Sequence, residues 1–140
     1  MASYWFNAGA DELAKSTITW TSDTIKARLV SSLPARTITS MTGITALTGA
    51  TDQTLGTKSI VKDDTNNQVK YVAANPTFSA VTTSQTVAAV VVFKYGTGDA
   101  DSIPLCVHDV TDTPTNGGDI TIDWPIVNST DGTVMYQTNS

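Results

Sequence analysis

A single cysteine and a single histidine in 140 residues leave this chain without the parts that most catalytic mechanisms need. Cys106 has no partner for an internal disulfide, so the fold must stand on packing and is compatible with assembly in a reducing cytosol. His108 has no second histidine with which to complete a common zinc site or a triad, and no cofactor is expected. Basic residues are also scarce. Eight Lys and Arg, scattered singly, stand against thirteen Asp and Glu, for a net charge of -5 and a pI near 4.4. The footprint that neutralises phosphates is missing, so nucleic acid is not an expected partner; an acidic surface better suits a basic protein. The longest apolar run, 87–93, is far below the ~18 residues of a membrane-crossing helix, and Met1-Ala2-Ser3 lacks a basic leader. The expectation is a chain that engages no membrane and is made where it is used, or leaves the cell only by lysis.

Threonine is abundant: 25 residues, against few of the Leu, Glu, Lys and Arg that fill helices. Threonine suits a pleated, half-wet surface, so the chain reads as all-β. Val87-Ala88-Ala89-Val90-Val91-Val92-Phe93-Lys94-Tyr95 is short, β-branched and bounded by Gly96-Thr97-Gly98, the pattern of a strand buried on both faces. Asp119-Ile120-Thr121-Ile122-Asp123-Trp124 alternates, the pattern of a strand with one wet face ending at Pro125. Eight to ten short strands at this spacing predict one β-sandwich domain over 1–140, of jelly-roll or related Greek-key type, with at most one short N-terminal helix over 8–15. In that helix Ala10, Leu13 and Ala14 share one side.

Two hairpins are predicted. Residues 17–20 and 24–30 flank the polar turn Thr21-Ser22-Asp23, and 58–62 and 68–73 flank 63–67. Residues 31–56, with Pro34, Gly43, Gly49 and Gly56, read as a long surface excursion around short strands near 36–39 and 44–47, a place where a partner is gripped. A short strand at 77–81, a strand over 103–110 interrupted by Pro104, and a last extended piece over 133–137 complete the pattern.

Candidate chemistry is thin. His108 and Asp109 are neighbours on a strand and so face opposite ways. Cys106 and His108 do share a face, the geometry of a thiol and a base, but no oxyanion motif accompanies them and a packing role is expected. Asp99 and Asp101, like Asp63, Asp64, Asn66 and Asn67, resemble fragments of a calcium loop without its closing glutamate or central glycine, and read as polar turns. Asn128-Ser129-Thr130 matches a glycosylation sequon that matters only in a secretory pathway. Trp5, Trp20 and Trp124 suggest a stacking platform for a sugar, although Trp20 and Trp124 end alternating strands and are better placed to close a core. Tyr4, Trp5 and Phe6 cluster near a terminus, where aromatics serve as interface anchors.

Several segments taken together carry a resemblance: Ala14-Lys15, Ile18 and Trp20, then Asp23-Thr24-Ile25-Lys26-Ala27-Arg28-Leu29-Val30, Thr77-Phe78-Ser79-Ala80-Val81, the run 87–94, and Pro114-Thr115-Asn116-Gly117-Gly118 leading into 119–124. In this order they resemble the head decoration, or cement, proteins of tailed bacteriophages. The resemblance implies a non-enzymatic β-sandwich bound in many copies outside an icosahedral capsid, bridging subunits of a major capsid protein of HK97-like fold, and made in the cytoplasm of a bacterial host. The chain departs from the pattern at Pro125-Ile126-Val127, where a polar turn and a short ending are expected, and its tail runs on to Ser140.

The expected arrangement is a homo-oligomer, a dimer rather than a trimer, with an N-terminal arm (1–8) and a C-terminal tail (125–140) offered to partners. The candidate contacts are Tyr4, Trp5 and Phe6, the acidic turns at Asp63, Asp64, Asp99 and Asp101, and the tail edge at Val134, Met135 and Tyr136. A carbohydrate- or receptor-binding module and a tail-associated structural protein are the alternatives, with a hydrolase on Cys106, His108 and Asp109 ranked last.

Overall fold

A computed structural model of the chain describes residues 3–125 and 132–138. It is an all-β structure with one short helix. The elements run β1 (Ser3–Trp5), α1 (Asn7–Ala14), β2 (Ile25–Val30), β3 (Gln53–Thr54), β4 (Ser59–Asp63), β5 (Gln68–Val72), β6 (Thr77–Phe78), β7 (Thr86–Lys94), β8 (Ile103–Pro114), β9 (Ile120–Thr121) and β10 (Thr133–Thr138). All pairings are antiparallel. A five-stranded sheet has the order β1-β8-β7-β2-β3, a three-stranded sheet the order β10-β5-β4, and β6 pairs with β9.

The apolar run behaves as its composition predicts. On β7 the residues Ala89 to Phe93 are all buried, and the pleat sends them alternately to two cores. Val87, Val90 and Val92 join Ile25, Ala27, Leu29, Leu105 and Cys106 in a core shared with Val134 and Met135 of the second sheet. Ala89, Val91 and Phe93 join Val30, Val107, Phe6, Met41 and Ile44 in the other. A register shift between Val87 and Ala89 explains why the alternation breaks there.

That second core corrects the reading of the long excursion. Residues 36–39 and 44–47 form no strands. The segment folds back over the outer face of the large sheet, where Met41 and Ile44 bury themselves, and β3 then closes the sheet edge on β2. Sequence cannot tell a loop that grips a partner from one that covers its own sheet.

Arg28 locks the excursion in place. Its guanidinium is buried and meets Asp52 at 2.7 Å and Asp99 at 2.7 Å, and also donates to the carbonyl of Ile44 at 2.7 Å. Burial opposes the charge, but the two carboxylates more than offset it and hold the guanidinium above its ordinary pKa.

Residues 17–20 also differ from expectation. They pair with no strand; Ile18 and Trp20 are buried, and Asp23 closes the turn by accepting from the Thr19 amide at 2.7 Å. Tertiary burial has overridden the alternating pattern. The 59–72 hairpin forms as expected, and β8 runs through Pro104 for twelve residues. The 119–124 strand contracts to Ile120–Thr121, and the 77–81 strand to Thr77–Phe78. Helix α1 lies close against β8 because Gly9 has no side chain: a Cβ there would stand 2.6 Å from the Leu105 Cα and the Pro104 carbonyl.

Candidate functional site

The expected N-terminal arm is a sheet strand. β1 pairs Ser3, Tyr4 and Trp5 with His108, Val107 and Cys106, so its alternation divides the aromatic cluster between the two faces of the sheet. Phe6 is wholly buried in the outer core, which removes it as a partner contact. Tyr4 is half-buried on the same side, its hydroxyl donating to the Pro34 carbonyl at 2.5 Å and its ring under the Arg36 guanidinium at 4.6 Å. Trp5 goes to the opposite face and stays partly open.

The expected tail is also a strand. β10 pairs with β5 and places Val134 and Met135 in the core, so these two are not partner contacts either, while Tyr136 is 41% exposed. The other tail positions, 126–131 and 139–140, lie outside the described residues, as does the Asn128 sequon.

Trp5 and Tyr136 come from opposite ends of the chain and meet at one groove of about 330 Å³. Its walls are Trp5, Tyr71, Tyr136 and Leu13, with Ala10 and Ala14 of α1 beside them and Gln137 at the margin. The helical face Ala10, Leu13 and Ala14 is legible in the sequence as a pattern; nothing local marks Tyr71, which alternates within β5 like its neighbours. Tyr71 is held edge-on by Trp5 at 6.1 Å and by Trp20 at 5.6 Å, and burial raises its phenol pKa. Small alanines flanked by fixed aromatic rings make a surface that receives an apolar side chain with little loss of rotamer freedom.

The acidic turns are engaged internally. Asp63 accepts from the Asn66 side chain at 2.9 Å and from the amides of Thr65 and Asn66, and these bonds hold its carboxyl below the usual pKa. Asp101 does the same for Thr97 and Gly98, again with its pKa lowered. Asp99 is committed to Arg28, and Asp64 pairs with Lys62 at 3.1 Å on the open surface. Of the four, Asp64 is the one whose carboxylate, among the described residues, is bonded neither to a loop amide nor to the core.

No family model, curated protein or solved structure matches this chain. Its chemistry must be read from its own residues.

Cys106 and His108 do converge, with Sγ 4.0 Å from Nε2, but both are buried. Burial pushes the thiol pKa well up and the imidazole down to about 4. Nε2 donates to the Val134 carbonyl, so the nitrogen nearest the sulfur carries a proton and cannot take one from it. Asp109 sits opposite Ala89, on the other face from His108, which sits opposite Val90. The arrangement is a core pair. Among the described residues there is no group of three His, Cys, Asp or Glu able to hold a metal ion, and no helix is long and apolar enough to cross a membrane. The three-tryptophan platform is not formed: Trp20 and Trp124 are buried, their indole N–H groups donating to Val72 at 3.2 Å and Ala74 at 3.0 Å.

Proposed function

We propose that this chain is a structural virion protein, a cement that binds the outer surface of a phage capsid and bridges neighbouring subunits of an HK97-like major capsid protein. The scaffold we infer is a Greek-key-related sandwich, since β7 returns beside β2 only after the chain has passed through the second sheet. The observation that carries the functional reading is the convergence of Trp5 and Tyr136 on an open aromatic groove, while Cys106 and His108 sit inside the core. The chain thus offers open aromatic surface for recognition, while its one thiol and one imidazole are withdrawn from solvent. Its acidic balance suits basic patches on a shell, and a two-site grip by a dimer adds effective concentration to a modest single contact.

Purified chain mixed with expanded heads that lack it is expected to co-sediment with them and to raise their resistance to heat and low salt. Absence of co-sedimentation overturns the reading. Tail-only labelling in assembled particles moves the protein to the tail-associated alternative.

A further inference from the structure

The described residues expose three large apolar side chains, Leu33, Ile60 and Tyr136, of which Tyr136 lines the groove. Ile60, at 50% exposure, stands directly across from Tyr71 in the β4–β5 register, so it projects from the sheet face that carries the groove wall. A knob and a hole therefore lie side by side: Ile60 on β4, and the recess between Trp5, Tyr71, Tyr136 and α1.

Their charges are complementary. Lys62 follows Ile60 by two residues and so shares its face, with its side chain 74% exposed. Asp11 and Glu12 flank the groove residues Ala10 and Leu13 on α1. Lys62 is paired with Asp64, and Asp11 with Lys15, but both pairs lie in open solvent, where such contacts are weak and readily exchanged. β4 is also the outer strand of its sheet, so nothing in the sheet covers this side.

We propose that two copies of this chain associate about a two-fold axis, Ile60 of each seating in the aromatic groove of the other and Lys62 of each facing Asp11 and Glu12 in the second half of the other's α1. A two-fold pairing uses one patch twice, and a patch holding both a knob and its hole satisfies that requirement without a second surface. The inference rests on the cement reading for its purpose, two-point attachment, but concerns the chain in isolation.

Sedimentation equilibrium of the full chain tests it. A dimer is expected, with Ile60→Asp and Ala14→Arg each weakening association about tenfold or more. Both positions are exposed, and an unchanged circular dichroism spectrum confirms each fold. Lys62→Glu is expected to weaken the dimer and Asp11→Lys to restore it in the double variant. A wild-type chain that stays monomeric to about 100 μM, a trimer, or a dimer indifferent to both Ile60→Asp and Ala14→Arg overturns the proposal. Shell binding separates the two readings: a dimer that ignores shells overturns the cement reading alone, and a wild-type monomer that binds shells overturns the dimer alone.

Discussion

His108 donates its Nε2 proton to the main-chain carbonyl of Val134, tying the middle of β8 to the outer strand of the second sheet. The imidazole packs beside the Trp124 ring at 5.2 Å, and its Nδ1 has no hydrogen-bond partner among the described residues. The other titratable group facing it is the Cys106 thiol, and no charged side chain contributes to its shift.

Burial of this imidazole makes stability depend on pH, with the Val134 bond opposing part of the shift. Burial lowers the folded pKa from 6.5 to about 4, so the unfolded chain takes up a proton more readily than the folded one. The contribution is complete above pH 6.5 and is lost as pH falls toward 4, in total about 3 kcal/mol. Urea titrations between pH 7 and pH 4 should show the loss. His108→Leu should cost 1–3 kcal/mol at pH 7, roughly the penalty for an unsatisfied carbonyl, and flatten this pH dependence. An unchanged slope in the variant assigns the acid sensitivity elsewhere.

The two carboxylates on Arg28 are unequal. Asp52 is the more buried partner, and Asp52→Ala leaves much of a buried guanidinium uncompensated, for an expected loss of about 3 kcal/mol. Asp99 is about half exposed, so Asp99→Ala should cost under about 1 kcal/mol. Chemical denaturation with unchanged m-values measures both, and equal losses contradict the ranking.

Gly9→Ala sets helix propensity against space. Alanine favours the helix by about 1 kcal/mol, but its Cβ would meet β8 backbone at 2.6 Å. Backbone cannot swing aside as a side chain can, so a net destabilisation of about 1–3 kcal/mol is expected, read as a lowered melting temperature.

Cys106 should resist thiol reagents in the native protein and react fully in denaturant, because burial removes both access and thiolate. Rapid labelling of the folded chain contradicts this placement.

Local pattern carried most of the strands. β7 was legible from its β-branched run, and the β4–β5 hairpin from alternation around a polar turn; α1 was legible from Ala10, Leu13 and Ala14. What failed depended on contacts distant in sequence. Ile18 and Trp20 alternate like strand residues, but the core took them without a pairing partner. Phe6, Val134 and Met135 read as interface anchors because they lie near the chain ends, and nothing local reveals that β1 and β10 are built into sheets. Asp99 looked like a free acidic turn because Arg28 is 71 residues away. The groove was half legible: Trp5 and Tyr136 stood out singly, and the fold alone brings them together.

Because β7 supplies alternate side chains to two apolar clusters, neither cluster can loosen while the other stays intact. Damage on one side of the large sheet is transmitted through a single backbone to the other, so heat should melt both halves in one step.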